Sequence, residues 1–380
     1  MKTWCLIFRL FQMQESGVNK QTIKSNRNSS IELLRIISMW MIVFYHFHTH
    51  VLQAGSDAVV FRAAQIPIHI AVVCFILISG YFGIHASIKG FSKLLAKIMF
   101  YALSITLLVV LYGYISGNQV YYSTDYINQH PFSKGFALNS LLFVTRSPLW
   151  FIRSYLLLYL VSPFLNKVLD NQNKQERILL LIVLGVITLW VDLLRTDGMG
   201  GGKNVLNFCF LYAIGRTIKE YDLLQKVTFK VNLTAYIILT ASVVGLYAIF
   251  DGTALGTVIG VLAFRYNGVI CVLTAVLFFL LFARLHFHSG FINSISASVF
   301  AIYLIHEHPL LNRYIYQIVD FCQQNMGIAK LYVCLLLYSI VIMFIAVLID
   351  KVTMPVQIGL ANLFTRSLNC LGVKIGLKEK

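Results

Sequence analysis

The chain is divided into apolar runs, mostly of 17 to 22 residues, separated by short charged segments, and this rhythm constrains its fold more than any other feature. A helix needs about 20 residues to cross the hydrocarbon core of a bilayer. Runs such as CVLTAVLFFLLFARL and LYVCLLLYSIVIMFIAVLI are apolar on every side, whereas strands of a membrane barrel alternate apolar and polar residues. Only 12% of the residues are charged and 58% are hydrophobic, against about a quarter charged in soluble domains. The sequence therefore predicts an all-α, polytopic integral membrane protein.

Ten transmembrane helices are expected, at about 31–52, 66–84, 97–115, 150–167, 178–194, 204–218, 232–250, 268–285, 295–312 and 331–349. The positions of the basic residues test this count. With the N-terminus inside, cytoplasmic segments hold 21 Lys and Arg and outer loops hold 8, while Arg35 and Arg153 fall within spans. Basic residues accumulate in cytoplasmic loops, so ten spans with both termini cytoplasmic satisfy the bias. The expected organisation is a cytoplasmic N-terminal tail over 1–30, a ten-helix domain over 31–350 and a cytoplasmic C-terminal tail over 351–380. The opening MKTWCLIFRLFQMQ has no small-residue cleavage site and reads as a tail on the membrane surface, or as an overextended start.

The net charge of +16 is then explained by orientation and by membrane lipid, and no nucleic-acid partner is expected. Seven cysteines without C-x-x-C spacing imply neither a zinc site nor a disulfide framework. No internal repeat of the kind found in many secondary transporters is evident.

Arg35 and His46 stand eleven residues apart on the first span, and eleven steps of about 100° return to nearly the same face. Ionisable groups on an apolar span mark an interior site by default. The two are about 16 Å apart along the helix, too far to pair. Arg35 either snorkels to the headgroups or serves that site, and Glu32 can neutralise it as an i,i+3 partner. Three more helices place polar residues at the depth of His46, namely His69, Arg153 and His306. A buried pocket with a general base and a cationic stabiliser would be built this way.

Other motifs lead nowhere. His46, His48 and His50 diverge around a helix, and only the first and last share a face, so no metal is expected. The same objection meets His306 and His308 around Glu307, unless Pro309 ends the helix there. The run from Asp197 to Lys203 falls one residue short of a phosphate-binding loop, lacks its Ser or Thr, and reads as a flexible turn. Tyr112, Tyr114, Tyr121, Tyr122 and Tyr126, around the longest outer loop, read as interfacial aromatics or as stacking surfaces for a sugar.

The string RNSSIELLRIISMWMIVFYHF resembles the opening helix of the membrane acyltransferase family 3, which carries an arginine and a histidine separated by ten residues. Three further strings resemble the family in the expected order: FILISGYF on the second helix, PLWFIRSYLLLYLVSPFL on the fourth and SVFAIYLIHEHPLL on the ninth. The likeness spans about residues 27–350. One departure is that many members carry a paired-arginine R-x-x-R after the second helix, where this chain has Lys93 and Lys97.

The resemblance implies transfer of an acyl group, usually acetyl from acetyl-CoA, to a hydroxyl of a cell-envelope polysaccharide or lipid-linked sugar, in the bacterial cytoplasmic membrane. In that reading Arg35, Lys93 and Lys97 hold the donor's phosphates. His46 acts as general base or accepts the acetyl group, and Arg153 or His306 stabilises the oxyanion. Glu32, Trp150 and Tyr159 support the site. The competing expectations are a transporter or flippase of a lipid-linked sugar, and a non-catalytic partner of glycan-assembly proteins.

Overall fold

The computed structural model describes residues 28–53, 58–117, 149–194, 200–222 and 227–374, and the architecture below is that of these residues. They form helices with no strand. The outer-loop tyrosines Tyr121, Tyr122 and Tyr126 and the N-terminal segment 1–27 lie outside the described residues.

Helix α1 (Ser29–Gln53) is the hub of the bundle. It packs against α2 (Ala58–His69), α3 (Ala71–Phe82), α10 (Val269–Ala283), α11 (Gly290–Ser296), α12 (Val299–His306), α13 (Asn312–Asn325) and α14 (Ile328–Lys374). Ile31, Leu34, Val43 and Phe47 on α1 are buried accordingly, and the Trp40 indole donates to Ser339 of α14 at 2.9 Å. Around this hub stand α4 (Ile88–Ser116), α5 (Trp150–Asp170), α6 (Lys174–Leu194), α7 (Val205–Glu220), α8 (Phe229–Phe250) and α9 (Ala254–Phe264).

Large apolar side chains face outward, among them Leu108, Ile115, Ile182 and Phe344, each at least 58% exposed. Soluble monomers rarely present such surface, and lipid is its natural solvent. Five helices are long and apolar enough to cross a membrane: Ser29–Val51, Val59–Phe82, Ile88–Ser116, Phe229–Phe250 and Ile328–Cys370. A sixth arises if α9 and α10, bent by 43° at their junction, count as one span.

The expected spans at 150–167, 178–194 and 204–218 become α5, α6 and α7, with Asn166, Arg177, Asp192 and Asn207 on buried faces. The expected span at 295–312 is broken. Helix α11 ends at Ser296 and α12 at His306, with Pro309 shortly beyond, where a missing N–H and a fixed φ oppose continuation. The last helix runs to Lys374, well past the expected end at 349.

Helices α3 and α7 touch backbone to backbone. A Cβ on Gly80 would lie 2.1 Å from the Tyr212 carbonyl oxygen, and one on Gly215 would lie 2.3 Å from that of Leu77, so only hydrogen fits at either position. The turn after α3 is clamped in the same region. The Tyr212 hydroxyl accepts from Ile84 N at 2.8 Å and donates to Asn166 at 2.6 Å, and Asn166 donates to the Ile84 carbonyl at 3.0 Å. The Tyr159 hydroxyl bonds both backbone groups of Ser87, which caps α4. These contacts fix where α4 begins, and so where its lysines point.

Candidate active site

A cavity of about 610 Å³ runs through the bundle beside α1. Arg35, Met39, Ile42 and His46 line it at i, i+4, i+7 and i+11, the stripe that one helical face presents. Lys93 and Lys97 of α4 also line it, as do Trp150 of α5 and Tyr266 of the α9–α10 turn. One continuous space therefore joins the expected phosphate-binding cations to the expected base.

At the cationic end, Glu32 accepts from Arg35 at 3.3 Å and also from the Ser296 hydroxyl, tying α1 to α11. Lys97 donates to Asp350 of α14 at 3.0 Å. Asp350 is fully buried and also accepts from Tyr101 at 2.8 Å and Gln357 at 3.1 Å. Lys97 is thus partly committed to a structural pair, whereas Lys93 is exposed.

At the other end, the His46 Nδ1 atom is 3.0 Å from His306 Nε2 and 3.1 Å from Glu307 Oε1. The hydrogen bonds assign the protons. The Nδ1 atom of His306 lies 2.7 Å from the Ile302 carbonyl, which can only accept, so the His306 proton sits on Nδ1 and its Nε2 is an acceptor. His46 then donates its Nδ1–H to Nε2 of His306 and to Glu307. Its own Nε2 keeps a lone pair. This is the logic of an oriented base, in which a carboxylate holds the tautomer and faces the imidazolium that forms. Tyr316 of α13 donates to the same Glu307 oxygen at 3.0 Å.

Glu307 owes its place to the helix end. It is the C-cap of α12, with φ −97° and ψ 10°, so consecutive residues leave the helical register and both reach His46. Pro309 was the sequence signal. Glu307 and Tyr316 are members of this cluster that reasoning from the sequence did not assign to the site.

Arg153 and His306 are not among the residues that line the cavity. Arg153 interacts electrostatically with Tyr303, which does line the cavity. His306 is 1% exposed and is hydrogen-bonded to His46. Groups on the wall near the aromatic end that can donate to a bound oxygen include the phenols of Tyr155, Tyr266 and Tyr303 and the Trp150 indole.

The aromatic end is stacked. Trp150 packs on Tyr266 with centroids 5.1 Å apart, and the buried His69 stacks on Tyr266 at 4.4 Å. Lys203 lies 5.9 Å over the Trp150 ring, and burial pulls its pKa below the ordinary lysine value. Within the glycine-rich run the described residues are tied down, because Asp192 accepts from Gly201 N at 2.7 Å and Gly202 N at 3.0 Å, while Asp197, Gly198 and Met199 lie outside the described residues.

The histidines after His46 have separate partners: His48 meets the Tyr332 hydroxyl at 2.7 Å and His50 meets Asp320 at 2.6 Å. His46, His306 and Glu307 do converge, with one ligand atom each within 4.8 Å. Two histidines and a carboxylate are also the donor set of some zinc sites. The spacing around His46 Nδ1 is also that of hydrogen bonds.

A family profile describing an acyltransferase domain, that of acyltransferase family 3, matches residues 28–351. The chain belongs to that family of membrane acyltransferases. No curated protein and no solved structure matches it.

Proposed function

We propose that the protein transfers an acetyl group from acetyl-CoA to a hydroxyl of a cell-envelope polysaccharide or lipid-linked sugar, in the bacterial cytoplasmic membrane. The observation that carries this reading is the single cavity lined at one end by Arg35, Lys93 and Lys97 and at the other by His46. Guanidinium and ammonium groups suit phosphates, and the length of the α1 stripe gives a thioester arm a path to the base. Ten spans with cytoplasmic termini would open the cationic end to the cytoplasm and put His46 toward the acceptor's side.

In this mechanism His46 Nε2 removes the proton of the acceptor hydroxyl as its oxygen attacks the thioester carbonyl. Glu307 stabilises the imidazolium and His306 keeps its orientation. Phenols on the cavity wall donate to the tetrahedral oxyanion. Collapse breaks the carbon–sulfur bond, and His46 returns its proton to the departing thiolate.

Labelled acetyl-CoA supplied to membrane vesicles tests the assignment. Label should appear in the glycan with wild-type protein and be lost with a folded, inserted His46→Ala variant. Sugar flux without acetyl donor would instead establish transport.

A further inference from the structure

Cys322 near the end of α13 and Cys334 near the start of α14 bring their Sγ atoms to 2.9 Å. The two stand twelve residues apart, across the turn at Met326 and Gly327, a separation that no short cysteine motif announces. Cys322 is buried and Cys334 half-buried. A close pair of thiols takes either a metal or a covalent bond between its sulfurs. Among the described residues no third His, Cys, Asp or Glu atom converges on this pair, and two ligands make a poor zinc site. Closing the gap to the roughly 2.05 Å of a disulfide takes less than an ångström of movement.

The pair sits at the end of the bundle away from the cationic residues. Gln323 donates to the Val51 carbonyl at 3.3 Å, and Asp320 and Tyr332 take His50 and His48, all near the C-terminal end of α1 and remote from Arg35. With both termini cytoplasmic, as proposed above, this end faces the outside, where disulfides form and persist. The element concerned is the one that completes the relay. Tyr316 of α13 donates to Glu307 and stacks on His50 with centroids 4.4 Å apart. Helix α13 is short, with Ile318 and Phe321 exposed, so a covalent tie to α14 would reinforce the bond from Tyr338 to the Ile315 carbonyl at 3.2 Å.

We propose that Cys322 and Cys334 are a disulfide site on the outer side of the membrane, and that the bond staples α13 to α14 so that Tyr316 stays on Glu307. The proposal rests on the orientation given above and not on the identity of the acyl donor. The oxidant is a disulfide-bearing protein of the outer compartment. One cysteine thiolate attacks that disulfide, and the second attacks the resulting mixed disulfide. One S–S bond breaks and one forms; two electrons pass to the oxidant, whose sulfurs leave as thiols carrying the two protons that the cysteines release.

To test this, the full-length protein is extracted without reductant, denatured in iodoacetamide and mapped by mass spectrometry. Cys322 and Cys334 should appear as joined, unalkylated peptides, while the buried Cys74 and Cys271 are alkylated. Reduction should speed amide exchange across α13 by about tenfold or more. Cys322→Ser should exchange at that faster rate with or without reductant, and Cys370→Ser, at an exposed position far along α14, should behave as wild type. Alkylated Cys322 and Cys334 in the extracted wild-type protein would overturn the proposal. Oxidised glutathione then divides the causes: if it rejoins the pair, the thiols meet but face a reducing compartment and the orientation falls; if it does not, the pairing itself falls. Joined peptides with α13 exchange unchanged by reduction would overturn the staple. Failure of the acyl-CoA reading would leave each of these results as it stands.

Discussion

Replacing Glu307 by Gln isolates the electrostatic part of the relay. The amide has nearly the same shape, its oxygen still accepts from Tyr316 and from His46, and His306 Nε2 at 3.0 Å still holds the His46 tautomer. What is lost is a negative charge 3.1 Å from the nitrogen of an imidazolium that exists only while the acceptor's proton is in transit. Unit charges about 4 Å apart attract by about 4 kcal/mol at an effective dielectric of about 20. A neutral hydrogen bond of about 1 kcal/mol replaces part of that. The net loss of about 3 kcal/mol, at 1.36 kcal/mol per factor of ten, predicts a fall in kcat of about a hundredfold or somewhat more. Because the cationic end is untouched, KM for acetyl-CoA should stay within about twofold. The assay is initial-rate transfer from labelled acetyl-CoA by purified, reconstituted protein, with detergent-phase monodispersity as the control for folding. A Glu307→Gln enzyme within threefold of wild type would refute the relay, and a loss confined to KM would move Glu307 into donor binding.

Lys97 and Lys93 should separate stability from affinity. Lys97→Met leaves Asp350 buried without a countercharge and should destabilise the protein by about 3–5 kcal/mol, read as a lower unfolding temperature that Lys97→Met/Asp350→Asn largely restores; Lys93→Met should raise KM for acetyl-CoA at unchanged stability. Chelation should leave activity intact and elemental analysis should find no stoichiometric metal, whereas loss to a chelator with recovery on adding zinc would turn His46, His306 and Glu307 into a metal centre. Gly80→Val should destabilise by about 3 kcal/mol, because its Cβ meets the Tyr212 backbone and backbone atoms cannot yield; an unchanged unfolding temperature would show that α3 and α7 separate freely.

Residues whose meaning depends on spacing within one helix were legible in the sequence. Apolar run length announced a helical membrane protein, and the eleven-residue interval placed Arg35 and His46 on one stripe, which the cavity follows. Helical periodicity is a local property, so a sequence carries it openly. The partners of His46 were of another kind. Nothing in the spacing could say that Glu307, some 260 positions away, would pair with it, or that the segment after 351 would wall the cavity. Those outcomes depend on where a helix breaks and on which faces of distant helices meet. Packing between elements decides both, and only the folded bundle specifies that packing.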